Sequence, residues 1–323
     1  VRLFGVVGEG FNDFGGGAED EGVGRDDGVF GRIYAAAVFN NRTIDGFTGD
    51  FIGNYIYNLP VYHITHTDCE VDTTPQGGAI YNVNGTIESI TGDFIGNYAF
   101  SPNALAHGGA IYNDGVTNLI VGNVTGDFIG NCASGSSAEG GAIYNYGCSK
   151  IGNIIGDFIG NYASASDNAH GGAIRNMNNA QIGNITGDFI GNYASGSSGA
   201  RGGAIYNNGT ISILAGDRNV LFGGNRVSSF NTANAQGGAI YNDDNSSIVN
   251  LYAAEGHSIT FVGDASDDNT DSIYNGGTLN INGTENNYTG TVNLAKVEGN
   301  GIMNINGGRV EAKGNVTQDT VNL

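Results

Sequence analysis

His63, His66, Asp68 and Glu70 bring imidazoles and carboxylates together within one short stretch. His63-x-x-His66 is a spacing from which a loop can hold a metal ion. The stretch 55–76 also contains Pro60 and Pro75 and interrupts an otherwise regular pattern. A pair of solvated histidines on an irregular excursion is the simpler reading. The second chemistry-capable set is Asp50, Asp93, Asp127, Asp157 and Asp188, each the Asp of a Gly-Asp-Phe-Ile-Gly-Asn hexapeptide. A glycosidase needs two carboxylates at a set separation with unequal pKa values, and a lyase needs Arg or Lys beside clustered acids. A residue repeated identically serves every unit alike, whereas a catalytic centre breaks the symmetry in one place. The chain is therefore read as a non-enzyme with no cofactor. Calcium between the aspartates would need six or more oxygens per ion, so solvated turn aspartates are expected, repelling by roughly 0.9 kcal/mol at a ~4.8 Å step in water.

A third set is aromatic. Tyr81, Tyr112, Tyr144, Tyr206, Tyr241 and Tyr274 each follow an isoleucine and precede an asparagine, and Arg175 takes the same place once. Strand alternation sends Ile and Tyr to opposite faces. With Ile inside, the tyrosines form an outward column, a candidate partner-binding stripe. The small-residue stretches Ala133–Glu139, Ala163–Ala169 and Ala194–Ala200, read as loops projecting from one edge, are the competing location. Cys69, Cys132 and Cys148 are too few and too far apart for a zinc site or a disulfide framework. Cys132 occupies the place that Tyr98, Tyr162 and Tyr193 hold in other units, which points to packing; a Cys132–Cys148 bridge stays open.

The elements that position these groups come from a repeat. Gly-Gly-Ala-Ile begins at Gly77, Gly108, Gly140, Gly171, Gly202 and Gly237, at steps of 31, 32, 31, 31 and 35 residues. Gly-Asp-Phe-Ile-Gly-Asn begins at Gly49, Gly92, Gly126, Gly156 and Gly187 and keeps the same beat. Such a period marks one supersecondary unit that buries its apolar face only by stacking on its neighbours. The apolar segments are 4–6 residues long and bounded by Gly, Asn and Asp, which suits strands. The expected fold is all-β: a single-stranded right-handed parallel β-helix, three strands per rung and roughly nine or ten rungs, about 45 Å long. Residues 1–37 form an irregular Gly/Asp-rich segment or cap, 38–275 the regular repeat, and 276–323 a continuation with shorter rungs.

In-register stacking would align identical residues. Phe51, Phe94, Phe128, Phe158, Phe189 and Phe222 are expected to form an internal aromatic ladder, with Gly53, Gly96, Gly130, Gly160 and Gly191 letting backbone pass close by. Asn82, Asn113, Asn145, Asn176, Asn207 and Asn242 are expected to take left-handed turn geometry and to bond between rungs.

Composition limits the function. The chain carries 12 basic against 32 acidic residues, a net charge of −20, so no basic stripe exists for nucleic acid or an anionic membrane. With 57 Gly but only 3 Pro and 39% apolar residues it is neither collagen-like nor disordered. There is no apolar run long enough for a membrane helix. The chain opens on Val1 without a signal peptide and is read as a fragment or processed segment.

Gly-Gly-Ala-Ile alternating with Phe-x-x-Asn (Phe51–Asn54, Phe94–Asn97, Phe128–Asn131, Phe158–Asn161, Phe189–Asn192, Phe222–Asn225) resembles the polymorphic outer-membrane protein repeat of bacterial type V autotransporter passengers. Phe100–Asn103 falls out of frame, and Phe261–Asp264 departs by Asp for Asn. The resemblance covers roughly 38–275. It implies an extracellular or cell-surface passenger, carried to the outer membrane by a separate translocator and used for adhesion to a host-cell or neighbouring-cell protein or glycan, or for self-association. This segment shows no barrel-like strands after the repeat, so it is not expected to insert into a membrane itself. The alternative is a structural spacer or self-associating filament without a specific ligand. A β-helix polysaccharide lyase or hydrolase ranks behind both.

Overall fold

The computed structural model describes residues 37–57, 74–115, 120–230, 234–266, 272–283 and 287–323. Among these residues there is no α-helix, and strands of successive units pair in parallel. In the unit beginning at Gly171 the chain runs through Ile174–Asn176, Gln181–Thr186, Phe189–Ile190, Tyr193–Gly196 and Gly199–Arg201. Each of these five segments belongs to its own sheet, with nine, twelve, nine, seven and five strands in that order among the described residues. The chain is a parallel β-helix.

The first three sheets are the three strands per rung expected from sequence, and they enclose the main core. Ile80, Ile111, Ile143, Ile174, Ile205 and Ile240 of the first sheet are fully buried, as are the third-sheet phenylalanines. Phe94, Phe128, Phe158 and Phe189 stack with centroids 4.8 Å apart and planes within 2° of parallel. That spacing is the rung step itself, so one ring per rung fills the column.

The stretches expected to be projecting loops are strands. Cys132–Gly135 pairs with Tyr98–Phe100 below and Tyr162–Ala165 above, and Ser137–Glu139 pairs with Leu105–His107 and Asn168–His170. These two extra sheets face each other across Ala106, Ala133, Ala138, Ala163, Ala169, Ala194 and Ala200 and form a fin with its own thin core. Alternation explains it: in Tyr193-Ala194-Ser195 the small residue points in and the polar ones point out. Among the described residues the last fin strands are Ala235–Gln236 and Ala265–Ser266, while the three body sheets continue through the shorter rungs, in keeping with the 24-residue spacing from Gly277 to Gly301. The out-of-frame Phe100 lies in the fin, opposite Ser134.

Two glycine positions show different physics. Gly53, Gly96, Gly130, Gly160 and Gly191 sit at φ of 60–62°, and a Cβ there would meet nothing within 4 Å. They are needed for the left-handed corner after the phenylalanine and not, as expected, for close passage. The second Gly of Gly-Gly-Ala-Ile answers the space requirement: a Cβ on Gly109 would lie 2.0 Å from the Gly141 carbonyl oxygen.

The asparagines form two inter-rung ladders. In the first sheet, Nδ2 of Asn82 donates to Oδ1 of Asn113, Asn113 to Asn145, Asn145 to Asn176, and Asn176 to Asn207, all at 2.8–2.9 Å. The second runs Asn97, Asn131, Asn161, Asn192, Asn225 after the phenylalanines. Each amide spends its other hydrogen on a backbone carbonyl, as Asn131 does on Phe94 at 2.8 Å, so burial leaves little unsatisfied. The left-handed geometry expected for the ladder asparagines is absent. Among the described residues, the non-glycine residues at positive φ are Asn84, Asn178, Asn179, Asn282 and Asn287.

Candidate functional site

The tyrosine column exists, but it is not an exposed stripe. Tyr81, Tyr112, Tyr144, Tyr206 and Tyr241 face away from the isoleucines and stack at about 5 Å, yet each is only 4–5% exposed; Tyr274 is half-buried. The reason is the fin. Its last strand runs back into the first sheet through Gly-Gly, and the residue just before that pair lies against the tyrosines. Gln76, His107, Glu139, His170, Arg201 and Gln236 hold this place in successive rungs. His107 packs 5.2 and 4.8 Å from the rings of Tyr112 and Tyr144, and His170 packs 4.9 Å from Tyr206. Sequence reading missed this column. Its signal was a single variable polar position in an otherwise constant frame.

The seam breaks repeat symmetry with charge. Arg175, in a tyrosine's place, is sandwiched 5.5 Å from the Tyr144 ring and 4.9 Å from Tyr206, and forms an ion pair with Glu139 across the seam. All of it is dry. Burial, with the nearby Arg175, pushes His107 down to about 3. Burial and Arg201 push His170 down to about 4, against smaller opposing effects of Asp243 and Asp167. Both imidazoles are therefore neutral at neutral pH. Burial also lowers Arg175 to about 10 and raises the phenols of Tyr112, Tyr144 and Tyr206. The hydroxyls of Tyr112 and Tyr206 donate to Asp114 and Asp243 at 3.2 and 2.7 Å. Stacked, paired and covered, these groups hold the fin against the body.

The exposed columns lie on the other side of the rung, in the third and fourth sheets. Within Gly-Asp-Phe-Ile-Gly-Asn-Tyr-Ala, Phe and Ala point in while Asp, Ile and Tyr point out. Ile52 is 58% and Ile159 37% exposed, and Tyr55 and Tyr162 are 52% and 40% exposed. The intervening Ile95, Ile129, Tyr98 and Tyr193 are half-buried. Cys132 continues the tyrosine column, opposite Tyr98 and Tyr162, and burial pushes its thiol up to about 12. The alternation that singled out the Ile-Tyr-Asn tyrosines applies equally to these, and only the position of the fin tells the two sets apart.

The aspartates are more than solvated turn residues. The backbone N–H of Asp93 donates to Oδ1 of Asp50, Asp127 to Asp93, Asp157 to Asp127 and Asp188 to Asp157, at 2.8–3.0 Å. Arg218 lies over the upper end, 3.1 Å from Asp157 Oδ1 and 3.0 Å from Asp188 Oδ2. Among the described residues no three His, Cys, Asp or Glu side chains converge as a metal ion would require. Cys132 and Cys148 are unbridged, the first buried and the second exposed. A cavity of about 350 Å³ at the fin tip is lined by Ser195, Ser197, Ser228, Ser229 and the exposed Phe230. His63, His66, Asp68, Glu70 and Cys69 lie outside the described residues.

No family model, curated protein or solved structure matches the chain. The resemblance to the outer-membrane protein repeat therefore rests on its motifs.

Proposed function

We propose that this chain is a binding rod of the autotransporter-passenger kind, displayed at a bacterial surface or secreted, and that it adheres through its third and fourth sheets. The observation that carries this reading is the run of exposed Ile and Tyr side chains at Ile52, Tyr55, Ile159 and Tyr162. Side chains of this kind on a rigid sheet give contact area with little entropy to lose. Soluble monomers seldom leave apolar side chains contiguous without a use for them. The motif resemblance supports the same reading, and catalysis forms no part of it: the symmetry-breaking charges Glu139 and Arg175 are spent on each other. Binding of labelled chain to bacterial and epithelial cells tests the proposal. Wild type should bind saturably, and Ile129→Ser/Ile159→Ser/Tyr162→Ser should lose most of that binding while keeping its far-ultraviolet spectrum. Saturable binding unchanged in the folded triple variant would refute this face; no saturable binding by wild type would leave the spacer reading in its place.

A further inference from the structure

We infer that the outer face of the third sheet takes a cationic amphipathic helix, its basic side chains on the aspartate column and its apolar side chains on the neighbouring isoleucines. This names the partner's chemistry for the binding face proposed above and rests on that reading. Asp and Ile stand two residues apart on the same strand face, so their columns run side by side about 7 Å apart. Each carboxylate is held in position, because one oxygen accepts the N–H of the rung above. Asp188 shows what the other oxygen can do: Oδ1 accepts Leu221 N–H at 2.8 Å while Oδ2 holds Arg218 at 3.0 Å. Arg218 spans Asp157 and Asp188, so one guanidinium bridges two rungs.

Arg218 comes from the longer link 216–219 between second and third sheets, and the next rung carries Leu221 where the aspartate would be. The protein thus covers the upper end of its own acidic column. Among the described residues, no Lys or Arg pairs with Asp50, Asp93 or Asp127. Beside those three aspartates lie Ile52, Ile95 and Ile129, exposed or half-exposed. A partner that satisfies both columns must carry positive charge and an apolar strip in parallel lines. A helix laid along the rod repeats a face about every 5.4 Å, close to the ~4.8 Å rung step. An extended strand repeats every ~6.8 Å and loses register within two rungs. A second copy of this chain is disfavoured as occupant, because two such faces would bring like-charged columns together, and the chain carries a net charge of −20.

The test uses the full chain and a synthetic peptide of about 18 residues, helical, with Arg at four-residue spacing beside a Leu strip, its affinity measured by fluorescence anisotropy against salt. Asp50→Asn/Asp93→Asn/Asp127→Asn keeps the oxygen that accepts the inter-rung N–H and removes the charge. It should weaken peptide binding at least about tenfold and flatten the salt dependence. Glu88→Gln/Glu255→Gln/Asp319→Asn changes net charge equally at exposed sites off the column and should stay within about twofold of wild type. Equal losses in the two triples would mean bulk charge alone, and overturn the inference, as would failure of wild type to bind the peptide. Should the peptide fail while cell binding still requires Ile129, Ile159 and Tyr162, the partner chemistry falls and the binding face stands.

Discussion

The body and the fin are built by the same repeat and held by different means. The body closes around one phenylalanine and several isoleucines per rung, stacked into continuous columns. The fin closes mostly around alanines, with only Ile56 and Val227 as larger aliphatic side chains in the same inward column among the described residues. A core of large side chains stabilises each rung by several kcal/mol through area alone. A layer of methyl groups buries little, so the fin depends on backbone pairing and on its seam with the body. This accounts for where each part stops. Among the described residues the body runs on through the short rungs, whereas the fin strands stop with the long ones.

Cutting the body core should have the largest effect. Phe158→Ala is expected to cost about 3–5 kcal/mol in urea unfolding, as for other buried aromatics, because a gap would open between Phe128 and Phe189. Ala163→Gly in the fin of the same unit should cost only about 1 kcal/mol, and Asp157→Asn less, since the amide oxygen still accepts the Asp188 N–H. A fin alanine that proved as costly as the phenylalanine would collapse the distinction between the two cores.

The seam comes next. Glu139→Gln strands Arg175 in a dry site and should cost about 3 kcal/mol. Glu139→Gln/Arg175→Tyr restores the residues that other rungs use, Gln against a continuous tyrosine stack, and should come back to within about 1 kcal/mol of wild type. If the double variant is no better than the single one, the ion pair is not what distinguishes this rung.

A smaller, pH-dependent effect marks the end of the second asparagine ladder. Asp264 accepts from the backbone N–H and Nδ2 of Asn225, both at 2.9 Å, while its other oxygen has no partner. Burial pushes its pKa up from 3.8 to about 6, outweighing the hydrogen bonds from Asn225. A carboxyl raised in the folded state holds its proton more tightly there. Its stabilising contribution is full below pH 3.8 and is lost as pH rises through about 6. Asp264→Asn should therefore stabilise the chain at pH 8, by at most about 3 kcal/mol, and have little effect at pH 3.5. A variant no more stable than wild type at pH 8 would put Asp264 in a wetter place than the structure gives it.

Much of the body could be read from sequence because its signals are local. The phenylalanine and asparagine ladders follow from in-register stacking of identical residues, and Cys132 falls where the tyrosine frame put it. The fin was missed because Ala-Ser-Gly-Ser reads as loop by composition. Its strand character comes from pairing with copies of itself one rung away, which no single segment shows. The tyrosine error follows from the first: alternation tells which side of a strand a residue leaves, but not whether another sheet waits there. With the fin treated as loop, nothing was expected to cover Tyr112, and Tyr162 was read only as a packing position. The structure buries the first under His107 and leaves the second exposed.

That contrast in exposure can be measured directly. Hydroxyl-radical footprinting of the intact chain, read by mass spectrometry, reports ring accessibility without depending on phenol ionisation. Tyr55 and Tyr162 should be oxidised at least about tenfold faster than Tyr112, Tyr144 and Tyr206, in keeping with their 40–52% against 4–5% exposure. Equal rates, or faster oxidation of the Ile-Tyr-Asn tyrosines, would contradict the placement of the fin and, with it, the choice of binding face.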